Sequence, residues 1–193
     1  MRPVGPALIL VTATGAWLVS APAPALEVLR LDAASSGGIY TVDAELVIDA
    51  PPAAVHAVIT DYEHLTSLSP RIEESRVLEK EPNATLVFTR VEGCFAFFCR
   101  TFDRVERVVE FGPDHVEATT LPDQSDVGFG KVVWVLHASG ENATRVEYYT
   151  ALEPTFWVPP LVGRIALRRS MEAEAMRMFG NIETLAAQVV IER

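Results

Sequence analysis

Hydrophobic positions recur along this chain with two periods: they mostly alternate with polar residues between Ile39 and Leu152, and fall into helical three-and-four spacing after Pro160. In Ile39–Ile48, residues Val42, Ala44, Leu46 and Ile48 share one face while Thr41, Asp43 and Glu45 share the other, the pattern of a half-buried strand. Asp49-Ala50-Pro51-Pro52 stops it, and a proline suits the first turn of the short helix expected over Ala53–Thr60, with Val55, Val58 and Ile59 inward. A second short helical piece, Tyr62–Leu68, ends ahead of Pro70. A meander of strands follows over Ile72–Lys80, Leu86–Val91, Arg100–Phe111, His115–Leu121, Lys131–Ala138 and Thr144–Leu152, punctuated by Glu81-Pro82-Asn83, Gly112-Pro113-Asp114 and Ser139–Asn142. Pro122–Gly130 reads as a loop, and Leu26–Gly38 only as a mixed apolar and charged segment closing in a Ser-Ser-Gly-Gly turn.

Pro159–Arg193 reads as one long amphipathic helix. Leu167, Met171, Ala175, Met178, Ile182, Leu185 and Val189 form its apolar stripe, and Arg164, Arg168, Arg169, Glu172, Glu174, Arg177 and Glu183 its wetted side. A half-covered sheet needs an apolar element laid across it, and this helix alone is long enough. The fold class expected is α+β, a curved antiparallel sheet around a long C-terminal helix.

Charge and cysteines narrow the setting. Met1-Arg2, an apolar run from Ala7 to Val19 and an Ala-x-Ala ending make residues 1–25 a secretory leader cut after Ala25, with one domain over 26–193. The place expected is therefore the periplasm or beyond. The chain carries 16 Lys+Arg against 26 Asp+Glu, a net charge of −10 that argues against nucleic acid as a partner. Cys94 and Cys99 are its two cysteines, and in an exported chain they read as a disulfide pinning a hairpin tip. Phe95, Phe97 and Phe98 lie inside that tip, where they could form a lid, touch a membrane transiently, or pack under a neighbouring loop. Phe156-Trp157-Val158 is a second apolar connector ahead of the helix.

The stretch VIDAPPAAVHAVITDYEHLTSLSPRIEESRVLE resembles the opening of the START-like superfamily, in its coenzyme Q-binding and polyketide cyclase/dehydrase branch. Pro154, Phe156–Pro160 and Arg164…Arg168-Arg169-Ser170 resemble that branch's lead into its last helix. The resemblance implies a helix-grip fold with a hydrophobic cavity between sheet and helix. Thr66-Ser67-Leu68-Ser69 departs from it, standing where many relatives carry an aromatic that shapes the cavity mouth.

Chemistry is harder to find. His56, His64, His115 and His137 are scattered without metal spacing, G-x-S-x-G is absent, and Gly128-Phe129-Gly130 is too short to cradle a phosphate. No cofactor, metal or catalytic residue is therefore expected; His56, His64, Tyr62 and Asp103 are the acid–base candidates should the protein be an enzyme. Asp61 is placed either to bond His64 or to cap a helix. The inward face of Leu86–Glu92 stays open. With Phe88 inward, Arg90 is buried and needs a partner; with Val87, Thr89 and Val91 inward, Arg90 is solvated. Strand parity puts Val132, Trp134 and Leu136 on one face, and Val146, Tyr148 and Thr150 on another. The cavity-lining candidates are Phe88, Trp134, Tyr148, Leu167, Met171 and Met178, which otherwise simply fill a core. Three functions compete: a carrier of a lipid, quinone or sterol-like molecule, a polyketide-type cyclase or dehydratase, and an interaction module docking through the phenylalanine tip.

Overall fold

The structure, a computed structural model, describes residues 26–95, 98–156 and 164–191; the leader expected at 1–25 lies outside them. Eight strands form one antiparallel sheet: β1 (Glu27–Ser36), β2 (Ile39–Ile48), β3 (Ile72–Glu81), β4 (Ala84–Phe95), β5 (Phe98–Gly112), β6 (His115–Thr120), β7 (Val127–Ala138) and β8 (Thr144–Pro154). Their order is β1-β2-β8-β7-β6-β5-β4-β3, so β3 to β8 form a meander and β2 returns beside β8. Helix α1 (Pro52–Ile59) and a single 3-10 turn at Leu65–Ser67 connect β2, near one edge, to β3 at the other. Helix α2 (Arg164–Ile191) lies against the concave face, which gives the helix-grip arrangement.

β1 is a strand where the sequence showed only a mixed segment. Its register shifts between Val28 and Arg30, so the apolar residues Val28, Leu29 and Leu31 lose the two-residue period that marks a strand. Gly37 and Gly38, at φ 60° and 89°, then close a two-residue hairpin into β2, a backbone that side chains other than glycine rarely tolerate twice in succession. The loop expected over Pro122–Gly130 is shorter in fact. β7 already begins at Val127, which is fully buried, and Gly130 lies so close to β6 that a Cβ there would meet the Thr120 hydroxyl at 2.1 Å. Further register shifts in β3, β5 and β7 bend the sheet around the helix.

The core sits between the inner sheet face and α2. Trp134 on β7 and Tyr148 on β8 pair across the ladder with ring centroids 4.4 Å apart, and Phe179 of α2 meets Tyr148 edge-on at 5.4 Å. The helix is rotated relative to the stripe expected for it. Ala175, Phe179, Ile182 and Ala186 are its buried line, flanked by half-buried Met171, Met178, Leu185 and Val189. Glu183, expected in water, is buried instead. α1 packs against α2, and burial beside Asp49 pushes the Glu183 carboxyl above the usual carboxylate range, opposed in part by the Asp49 backbone N–H. One Glu183 oxygen has no hydrogen-bond partner among the described residues.

Because the folded carboxyl is the weaker acid, its proton stabilises the fold below the unfolded carboxylate range, and this stability is lost as pH rises through the folded value. Glu183→Gln is therefore expected to be about 1 kcal/mol more stable than the parent at pH 7. It should match the parent near pH 4, as read by urea unfolding at both pH values.

Candidate functional site

Between the sheet and the first described turns of α2 lies a cavity of about 270 Å³. Val42 of β2, Val91 of β4, Phe102 of β5, Leu152 of β8 and Met171, Ala175 and Met178 of α2 supply its apolar wall. Its volume falls just below the roughly 300–1,000 Å³ typical of small-molecule sites. A single ring or one end of a longer molecule fits; a whole lipid requires the mouth to widen.

Register decides which charges face it. Val91 pairs with Phe102, Thr89 with Arg104 and Val87 with Glu106, and this row points inward; Phe88 with Val105 and Arg90 with Asp103 point outward. Phe88 is thus removed from the cavity candidates. It is buried on the opposite face, under the guanidinium groups of Arg76 at 4.5 Å and Arg90 at 5.7 Å from its ring. Arg90 is not left to solvent alone: it holds Asp103 by two bonds of 2.7 and 2.9 Å, which keeps the Asp103 carboxyl below its usual range.

The inward row brings Arg104 and Glu106 to the interior. Arg104 Nη2 lies 3.1 Å from Glu106 Oε2, with the two side chains 18% and 8% exposed. Arg104 lines the cavity, and its Nε donates to Thr89 Oγ1 at 3.4 Å. The second Glu106 oxygen has no partner among the described residues. Tyr148 lies on the same wall, its hydroxyl pushed up to about 12 by burial, with Thr150 as a hydrogen-bond partner acting against the shift. It therefore stays a neutral phenol at physiological pH. Sequence reading passed over Arg104 and Glu106 because Asp103-Arg104 and Glu106-Arg107 put charges on both faces of the strand, so alternation selects neither.

A second polar group rims the cavity. Arg71, about one-third exposed, bonds Glu92 through Nη1, reaches Cys94 Sγ at 2.7 Å, and lies 3.9 Å from Glu174, which accepts from Ser69. Cys94 and Cys99 face each other across the β4–β5 ladder and are disulfide-bonded. Ser170 Oγ donates to the Cys94 carbonyl at 3.1 Å, tying the hairpin to α2. Three metal-type ligand atoms come together among the described residues at Glu92, Cys94 and Cys99, two of them already spent in the disulfide.

Of the remaining candidates, Tyr148, Met171 and Met178 line the cavity. Trp134 is not among the residues lining it and packs against Tyr148 with the rings tilted 52°. Leu167 belongs to the first turn of α2, whose side chains lie outside the described part, as do Phe97 and the side chains of Phe95 and Phe98. The acid–base candidates lie elsewhere. His56 Nε2 lies 3.3 Å from Glu110, to which Tyr62 donates at 2.9 Å; burial and that carboxylate raise the Tyr62 hydroxyl well above its ordinary range. His64 bonds Asp61 at 2.9 Å in the open, and this bond raises its imidazole above the ordinary value. Asp61 thus serves His64 and caps no helix.

Residues 40–187 match the model of the polyketide cyclase / dehydrase and lipid transport family. The chain belongs to that family. Solved structures share its fold at low identity. The Zhui aromatase/cyclase from Streptomyces sp. R1128 superposes with TM-score 0.61 at 16% identity, over 79% of this chain and 96% of that one. Human STARD10 gives 0.57 at 11%, over 82% and 73%. A STAR-related lipid transfer protein from Xanthomonas axonopodis gives 0.55 at 14%, over 79% and 98%. At these identities the likeness is one of fold. No curated protein matches the chain in sequence.

Removing one member of a buried ion pair strands the other in a poor solvent. Arg104→Met is expected to lower stability by about 3–5 kcal/mol. The double change Arg104→Met with Glu106→Leu should restore most of it, as read by denaturant unfolding of all three proteins.

Proposed function

We propose that this family member is an exported carrier that takes an apolar small molecule into the cavity between sheet and helix, its polar end towards Arg104 and Tyr148. The carrying observation is the cavity itself: an apolar wall with a few converging polar groups, the composition of a site that binds by burial and orients by hydrogen bonds. A lipid, quinone or sterol-like molecule meets that description. An acceptor such as a carbonyl or hydroxyl oxygen suits the Arg104 guanidinium and the protonated Tyr148.

The family's description joins cyclase and transport activities. Transport is favoured here because His56, His64, Tyr62 and Asp103 do not lie on the cavity wall formed by the described residues. Tyr148 reaches it, but a phenol raised to about 12 donates a hydrogen bond far better than it abstracts a proton. The cyclase reading would have to run on the groups the wall does carry, Arg104 and Tyr148 as donors with Glu92 or Glu174 as base. Glu92 is already paired with Arg71 and Glu174 with Ser69. Export is supported by the leader pattern in residues 1–25 and by the Cys94–Cys99 disulfide, a bond that persists in oxidising compartments.

Native mass spectrometry of the protein from its own host, followed by organic extraction, tests both parts. The expected mass is that of a chain beginning at Leu26, with an apolar species bound. Met171→Glu, which sets a carboxylate on the wall, should cut occupancy about a hundredfold while thermal unfolding shows the fold retained. A chain that stays empty after incubation with host lipid extract would sink the carrier reading, and an intact leader would sink export.

A further inference from the structure

The disulfide at the cavity mouth is asymmetric in its surroundings. Cys99 is exposed, whereas Cys94 is half-buried, forms part of the cavity wall and has the Arg71 guanidinium 2.7 Å from its sulfur. Thiol–disulfide exchange depends on which sulfur can be reached and on which thiolate leaves more readily. Here the two criteria select different atoms, as productive exchange requires: access favours attack at Cys99, and the neighbouring cation favours Cys94 as the leaving group. Two carboxylates temper the effect. Glu92 has an oxygen within 4.8 Å of both sulfurs and also pairs with Arg71, and Glu174 lies 3.9 Å from the same guanidinium.

We propose that the Cys94–Cys99 bond is a polarised exchange site for low-molecular-weight thiols, with the adduct forming on Cys99 and the thiolate released at Cys94 beside Arg71. The incoming thiolate attacks the Cys99 sulfur, a new S–S bond forms there, and the electron pair of the old bond leaves on the Cys94 sulfur. No electrons are gained or lost overall. The exchange frees the covalent tie across the hairpin and places one negative charge on the cavity wall next to Arg71. The mouth thereby acquires two states that differ in tether and in charge, whatever molecule the cavity holds.

The test uses the oxidised full-length mature protein with glutathione as the thiol, quenched rapidly with acid, alkylated with N-ethylmaleimide and mapped by peptide mass spectrometry. Glutathione is expected on Cys99 and maleimide on Cys94. Arg71→Gln should slow the reaction about tenfold by making Cys94 a poorer leaving group, and Glu92→Gln should speed it by removing an opposing charge. Adduct on Cys94, an even split in the parent protein, or an unchanged rate in a folded Arg71→Gln protein would overturn the proposal. Were Arg71→Gln to unfold, it would react faster and without preference, and Glu92→Gln would decide: no acceleration there also overturns it.

Discussion

The contact of α2 with the inner sheet face is the constraint on which the rest depends. A curved antiparallel sheet of eight strands leaves one broad apolar face that its own ladder cannot cover. Phe179, Ile182 and Ala186 are essentially removed from water there, and Phe179 reaches the Trp134–Tyr148 pair. Small residues at 175 and 186 let the helix approach on either side of that aromatic. Nearer the helix start the wall is Met171, Ala175 and Met178, and beyond them the packing leaves a cavity. The same helix thus seals the core along one part of its length and roofs a site along another.

Placing Arg104 and Glu106 on that inner face is expensive by burial alone, since a paired interior charge is often no better than an apolar pair of equal volume. What stability does not require, binding can use. Arg104, bonded to Glu106 and Thr89, lines the cavity, and Tyr148 is held neutral as a donor on the same wall. The outward charges work differently. Arg90, Asp103, Glu74 and Arg76 form a partly exposed lattice over Phe88, covering an apolar ring that the helix cannot reach.

The mouth joins elements distant in sequence. Ser69 and Arg71 precede β3, Glu92 and Cys94 end β4, and Ser170 and Glu174 belong to α2. Hydrogen bonds and ion pairs link all three, so movement of any one is felt by the others. Thr66-Ser67-Leu68-Ser69 contributes Ser69 to this cluster as a small polar group bonded to Glu174.

The sequence by itself determined the alternation that makes β2 to β8, the helix that closes them, the hairpin at Gly37-Gly38 as a turn, and a cysteine pair set to meet across a tip. These follow from local periods and turn chemistry, which need no partner to be read. Tertiary structure alone decided three things. It chose the inward row of β4 and β5, because charges on both faces of Arg100–Phe111 leave the choice to strand pairing: Val91 opposite Phe102 carries Arg104 in and Arg90 out. It chose the helix face, because Met178 and Phe179 lie only about 100° apart around a 3.6-residue turn and the sheet's aromatic pair selects Phe179. And it buried Glu183, because α1 and the Asp49 turn cover a position that the helix's own pattern assigns to water. A period shows that a face exists; only the surface packed against it determines which residues occupy its centre.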